Sequence, residues 1–228
     1  MQNKKKLAVK ITAALLAALM VVFAAPLNIA SDFISELAVM ASAETSGDFT
    51  YTVSNGNATI TKYNGSSSNV SIPSTFGSNK VTIIGGNSFT GNNTIISVSI
   101  PSSVTVIGGS GNYDDNGAFA NCKNLQKVTI ASGTGTDSRI DREAFKYCIS
   151  LQSIEIPGNY QNIGDSAFEG CSKLTSLKYN KSSAVSPNQS INSYAFLGCS
   201  MLKTISLPTT LNSIGYRSFE GSYIFILY

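Results

Sequence analysis

The sequence predicts a β-rich, α/β horseshoe-like solenoid, with parallel strands on one face and short helical turns between them; three observations carry that prediction. Ala-Phe, with Cys three residues and Leu six residues after the Phe, recurs at Phe119/Cys122/Leu125, Phe145/Cys148/Leu151, Phe168/Cys171/Leu174 and Phe196/Cys199/Leu202, with weaker copies at Phe89 and Phe219. The shortest spacing, from Phe145 to Phe168 and again from Phe196 to Phe219, is the length of one coil, and the wider spacings carry inserted loops. Each Leu opens an alternating apolar run: Ile95/Val98/Ile100, Leu125/Val128/Ile130, Leu151/Ile154/Ile156, Leu174/Leu177/Tyr179 and Leu202/Ile205/Leu207. Alternation with a period of two is the pattern of a short strand with one face buried.

Taken in chain order, residues 1–43 read as a secretory signal peptide. Lys4, Lys5, Lys6 and Lys10 precede an apolar stretch from Ile11 to Ala25, and Ala41-Ser42-Ala43 supplies a small-residue cleavage site. The stretch is short of the roughly 20 residues a spanning helix needs, so no stable membrane span is expected after cleavage. Residues 44–68 read as an N-terminal β-hairpin cap. Phe49, Tyr51 and Val53 alternate, Asn55-Gly56 offers a type I′ turn, and Ala58, Ile60 and Tyr63 return. Residues 69–228 form the solenoid of about six coils. Pro73, Pro101, Pro157 and Pro208 close their strands, because a proline has no N–H to extend a ladder. An Ile five residues before most of the phenylalanines (Ile84, Ile140, Ile163, Ile191, Ile214) marks a turn back toward the core. The apolar tail Tyr223–Tyr228 stands where a further strand would begin, and reads either as an incomplete or unusual end or as a contact for self-association.

The repeat resembles the BspA-like bacterial surface leucine-rich repeats over residues 70–225, six copies matching at several positions each. The resemblance implies a right-handed leucine-rich repeat solenoid with a parallel sheet on one side, exported to the cell surface, in a family associated with adhesion and protein binding. One coil cannot hide its own Phe, Leu and Ile side chains, whereas stacked coils share a continuous apolar column. Burying each such side chain stabilises by about 1.5–3 kcal/mol.

Charge and composition narrow the partners. Residues 1–43 hold four of the 16 basic and two of the 13 acidic side chains, which leaves 12 against 11 and a net charge near +1. With no basic run and no stacking aromatics, nucleic acid is not an expected partner. Cys122, Cys148, Cys171 and Cys199 each follow their Phe by three residues, so they stack one per coil. Adjacent coils lie within disulfide reach, but parallel side-chain vectors fit the required dihedral poorly. Free thiols and a bridge both stand as readings, and Asn92 and Ser222 at the equivalent positions favour a small semi-polar buried group.

No catalytic residues, cofactor or metal are expected. The chain has no His, which removes imidazole-dependent nucleophiles and ligands. The acid pairs Asp141/Glu143 and Asp114/Asp115 sit in turns and read as surface charge. Four cysteines on separate coils lack the paired spacing of a zinc site. Binding is the expected role, through one of two surfaces. The first is the strand face, where Ser97, Lys127, Ser153, Ser176 and Thr204 form one outward row and Ser99, Thr129, Glu155, Lys178 and Ser206 the next. The second is the edge of inserts within 108–117, 132–138 and 180–190, near Tyr113, Arg139 and Lys181. Extracellular or host proteins are the expected partners of a secreted or surface-bound module. Glycans are an alternative, with the chain as a wall-associated component or a portion of a larger surface enzyme; the absence of Trp and of an evident aromatic platform speaks against that reading.

Overall fold

The computed structural model describes residues 43–108, 116–135, 137–183 and 188–224. The leader, Asp114/Asp115, Tyr113 and Phe225–Tyr228 lie outside the described residues. Among those described there is no helix, and the chain forms a β-solenoid. Six parallel strands make the first sheet: β4 (Asn69–Ser71), β7 (Ser97–Ile100), β9 (Lys127–Ile130), β11 (Ser153–Ile156), β13 (Ser176–Tyr179) and β15 (Thr204–Ser206). These are the alternating runs, and their inward residues Val98, Val128, Ile154 and Leu177 are buried.

A second parallel sheet corrects the expectation of strands on one face only. It runs through β6 (Asn79–Ile84), β8 (Val106–Ile107), β10 (Ser138–Ile140), β12 (Tyr160–Ile163), β14 (Gln189–Ile191) and β16 (Leu211–Ile214). The isoleucines read as turn markers are the last residues of β6, β10, β12, β14 and β16. β10, β12, β14 and β16 are short and mix that apolar residue with polar ones, so no period of two is visible. Amide side chains run along this sheet instead: Asn162 Nδ2 donates to Ser190 Oγ (3.0 Å) and Asn212 Nδ2 to Asn188 Oδ1 (2.9 Å).

Before the first coil, β2 (Phe49–Ser54) and β3 (Asn57–Tyr63) pair antiparallel around Asn55 (φ 50°) and Gly56 (φ 73°), the two positive φ values of a type I′ turn. β1 (Glu44–Ser46) pairs with β2 on the outside, and β3 pairs in parallel with β6. A second antiparallel pair, β5 (Thr75–Phe76) with β6, was not anticipated.

The segments around each Phe are turns rather than helix, and the reason is in the backbone. Glu143 (φ 58°) and Tyr147 (φ 58°) flank Phe145 in the left-handed region, as Ser166 (φ 55°) and Gly170 (φ 71°) flank Phe168. This breaks the uniform right-handed dihedrals a helix requires. Alternate N–H groups then point to the next coil: Glu143 N to Asp165 O (3.0 Å), Phe145 N to Ala167 O (2.7 Å) and Tyr147 N to Glu169 O (2.7 Å). The N–H groups between them donate locally, as from Lys146 to Glu143 O (3.0 Å) and Cys148 to Phe145 O (3.1 Å). The third side of the column is therefore a hydrogen-bonded ladder as continuous as the sheets.

That close stacking leaves no room for a Cβ at Gly117, which would collide with the backbone of Glu143 and Ala144 in the next coil. Gly117→Ala is expected to destabilise by about 2–3 kcal/mol. Gly91, with open space around it, pays only its positive-φ preference, about 1–2 kcal/mol. Paired urea titrations of the two variants test the difference.

Candidate functional site

The interior has two ladders. Phe89, Phe119, Phe145, Phe168 and Phe196 are at most 2% exposed, and consecutive rings stack with centroids 4.6, 5.2, 5.1 and 5.0 Å apart. Identical side chains at one coil position repeat at the coil rise, which produces the stacking. The stack extends to Tyr63 at one end (5.1 Å from Phe89) and to partly buried Phe219 at the other (5.2 Å from Phe196). Tyr63, one coil ahead of Phe89, is a rung that the Ala-Phe pattern alone does not reveal.

The cysteines form the second ladder. All four are free and buried. Each thiol donates to the Phe carbonyl of the preceding coil: Cys122 to Phe89 O (3.1 Å), Cys148 to Phe119 O (3.1 Å), Cys171 to Phe145 O (3.2 Å) and Cys199 to Phe168 O (3.2 Å). Ser222 Oγ does the same to Phe196 O at 3.4 Å, so the position requires a compact donor rather than sulfur chemistry. Burial pushes Cys122 and Cys199 up to about 12 and raises Cys148 and Cys171 well above the ordinary thiol value. A thiol held protonated in this way is neither a nucleophile nor a metal ligand.

Of the acids singled out in the sequence, Asp141 and Glu143 are engaged in ion pairs. Asp141 Oδ1 lies 2.7 Å from Arg139 Nε, and burial raises its pKa against that neighbour. Glu143 Oε1 lies 3.2 Å from Arg142 and 3.4 Å from Lys146, whose ammonium also meets Glu169 Oε2 at 3.1 Å. Arg139 stands on β10 itself rather than on an insert. Among the described residues no group of three or more His, Cys, Asp or Glu side chains could hold a metal.

The outward face of the six-stranded sheet brings the two polar rows together. Ser97 pairs with Lys127, Lys127 with Ser153, Ser153 with Ser176 and Ser176 with Thr204; in the second row Ser99 pairs with Thr129, Glu155 with Lys178 and Lys178 with Ser206. Asn69 and Ser71 of β4 extend the rows by one strand, and Ser97 Oγ donates to Asn69 Oδ1 at 2.6 Å. Lys178 Nζ lies 2.8 Å from Glu155 Oε1, and Asn180 Nδ2 donates to the same oxygen at 3.0 Å. Those two bonds, Asn180 first, hold the Glu155 carboxyl below its usual range. Ser99, Lys127, Thr129, Ser153, Glu155, Lys178, Thr204 and Ser206 are exposed, with Ser97 and Ser176 half-buried. The face is polar, with its side chains in register from strand to strand. A double-mutant cycle on Glu155→Ala and Lys178→Ala is expected to show a stability coupling below about 1 kcal/mol, because both groups are solvated.

One aromatic pair was not read from the sequence. Tyr194 and Tyr216 occupy the turn ladder of adjacent coils with centroids 5.6 Å apart, and the Arg217 guanidinium lies 5.0 Å from the Tyr216 ring. Their positions, two and three residues before their phenylalanines, are the only signal that they would meet.

The family model of the BspA type leucine rich repeat region (6 copies) matches residues 58–183 and 114–226. A leucine-rich repeat protein of T. pallidum is similar in structure, with a TM-score of 0.57 and 26% identity over 79% of this chain and 89% of that one. A leucine-rich cell surface protein of Faecalibacterium prausnitzii gives 0.53 and 26% identity over 81% of this chain and 53% of its own, so this chain spans about half of it. The pneumococcal vaccine antigen PcpA shares the fold, with a TM-score of 0.59 at 22% identity over 80% of this chain and 48% of that one. No curated protein matches the chain.

Proposed function

We propose, starting from the fact that this chain belongs to the BspA type leucine-rich repeat family, that it is an exported, non-catalytic interaction module that binds another protein through the outward face of its six-stranded sheet. The observation that carries the reading is the register of exposed polar side chains on that face, from Asn69 to Ser206, over a column whose four thiols are free and buried. The likeness to a cell surface protein supports a place outside the cell, on the surface or secreted. The chemistry of the face predicts a partner contacted by hydrogen bonds and by the separated charges Lys127, Glu155 and Lys178, with affinity spread over many residues since no large aromatic anchors it. The antiparallel β2–β3 pair acts as the cap of the column at its N-terminal end.

Capture from host extracellular-matrix and cell-surface extracts, run beside a glycan array, tests this. Retained protein partners are expected, with retention reduced at least about tenfold by Lys127→Glu/Lys178→Glu, a change worth about 1.4 kcal/mol of binding. Empty captures, or a partner held equally by the double variant, remove the reading. Saturable glycan binding lost in Tyr216→Ala would transfer the function to the Tyr194/Tyr216 pair. Hydrolysis of a wall polysaccharide by the purified protein would overturn the non-catalytic assignment.

A further inference from the structure

A coil in the middle of the column carries an exposed apolar pair that its place in the stack does not require. Upstream of Met201, the exposed large apolar side chains among the described residues are Ile96, Tyr147 and Ile149, and the last two stand one residue either side of buried Cys148. Coils are stacked on both sides of them, since β11 pairs with β9 and with β13. The same positions hold Asn121 and Lys123 one coil earlier and Gly170 and Ser172 one coil later. Tyr147 is also fixed in place. Its hydroxyl donates to Glu169 Oε1 (3.1 Å), and its ring lies over Gly170, where a Cβ would collide with it. A ring already held on two sides loses little freedom when a partner covers it.

Charge of one sign flanks the pair. Gln152 N donates to Gln126 O (3.1 Å) and Thr175 N to Gln152 O (2.8 Å), which sets the register of the three turns that lead into β9, β11 and β13. Lys123 therefore occupies the Ile149 position one coil earlier, and Lys173 stands one residue past it one coil later. Lys127 on β9 and Lys178 on β13 continue the two flanks onto the sheet. Segments 121–130, 147–156 and 170–179 hold these four lysines against a single acid, Glu155, a net charge of +3. Glu155 is taken up by Lys178 and Asn180, and among the described residues Lys123, Lys127 and Lys173 make no ion pair. Glu169, which meets Tyr147, and Glu143 are both paired with Lys146 (3.1 and 3.4 Å), whose ammonium lies 5.3 Å from the Tyr147 ring.

We infer that this corner of the column is a docking surface for an acidic segment of a protein partner, with an apolar side chain of that segment seated on Tyr147 and Ile149 and its carboxylates reaching the lysines on either side. The inference rests on the reading of the chain as a protein-binding module, and it extends the contact from the sheet face, which has no large aromatic, across the corner to one. A tyrosine and an aliphatic residue at the centre with charge around them is the arrangement of a small interface core and its rim. Ring spacings of 5.2 and 5.1 Å on the two sides of Phe145 set the coil rise, so the lysine flanks stand about 10 Å apart, the reach of about three residues of extended chain. The fitting segment carries acidic residues about three apart with the apolar one between them. Opposite charge of this kind speeds encounter, fixes register and turns away basic partners.

Selection of a random peptide library on the purified protein tests this. Enriched peptides are expected to be acidic with an apolar residue between the acids, and their affinity to fall at least about tenfold in Ile149→Ser and in Lys123→Glu/Lys173→Glu. Both variants should keep the wild-type melting transition, because these side chains already meet solvent. Raising the salt from about 0.15 to 1 M shortens the screening length from about 8 to 3 Å and should weaken the same peptides. Neutral or basic peptides, or acidic ones held equally by the two variants, overturn the inference; if such peptides are lost in Thr129→Arg, the sheet still binds protein and the wider reading stands. An empty selection overturns it too, and the capture experiment then decides the wider reading. Dextran sulfate binding that is lost in the lysine variant but unchanged in Ile149→Ser would assign the corner to an anionic polysaccharide and overturn the protein partner.

Discussion

Phe168→Ala is expected to lower the unfolding free energy by about 3–5 kcal/mol, the range for deleting a buried aromatic ring. Phe168 is wholly buried, and it stacks on Phe145 at 5.1 Å and on Phe196 at 5.0 Å, so its loss removes both ring contacts and leaves a cavity between coils. Its backbone is equally committed: Phe168 N donates to Ala195 O (2.7 Å), and its carbonyl accepts from Cys171 N (3.2 Å) and the Cys199 thiol (3.2 Å). In a column each coil touches only its neighbours, so a defect at the middle weakens the coupling of the two halves, whereas one at the end frays a single coil. Phe219 has a stacked neighbour on one side and is only partly buried, and Phe219→Ala should cost less than half as much. Urea denaturation followed by far-UV circular dichroism tests the ordering, with a broadened transition expected for Phe168→Ala alone. Equal losses for the two variants, or a loss below about 1 kcal/mol at Phe168, would show that the aromatic stack does not hold the coils together.

What the sequence made legible was whatever repeats in side-chain type. The first sheet was readable because Leu125/Val128/Ile130 and its copies alternate strictly, and the outward rows followed from the same alternation. The second sheet was not, because β12 (Tyr160-Gln-Asn-Ile163) and β14 (Gln189-Ser-Ile191) hold their shape by inter-coil backbone bonds and amide side chains. Ile107 fills the position of Ile140 in the preceding coil, but the 108–117 insert separates it further from Phe119 than Ile140 is from Phe145 and hides the match. The left-handed residues beside each Phe were equally hidden. Glu143, Tyr147, Ser166 and Tyr194 are unusual at positive φ, and only the stacked carbonyls that their coils must reach explain the choice.

The thiol ladder makes the protein labile to alkali, the second large effect expected. In the unfolded chain a cysteine ionises near about pH 8.5. In the fold, burial pushes Cys122 and Cys199 to about 12 and Cys148 and Cys171 upward as well. A raised pKa for an acid means that the native state holds its proton where the unfolded state has released it. The unfolded chain then binds fewer protons, so stability falls as pH rises. The contribution is complete below about pH 8.5 and is lost between there and about pH 12, at up to about 1.4 kcal/mol per pH unit for each thiol. Four thiols acting together give a slope of about 5 kcal/mol per unit once all are ionised in the unfolded chain, steep enough to exhaust the stability of an ordinary domain within a few units. Burial holds the Tyr160 and Tyr179 phenols above their ordinary value too, and these add to the loss at higher pH. Urea midpoints in reducing buffer at pH 7, 8.5, 9.5 and 10.5 measure the slope. Cys171→Ser supplies the control, since Ser222 shows that a hydroxyl can donate to the same kind of carbonyl without titrating in this range. It should reduce the slope by about a quarter while leaving the pH 7 fold intact. A midpoint unchanged up to pH 10.5, or a slope the same in Cys171→Ser as in wild type, would mean that the thiols are not the groups that couple this fold to pH.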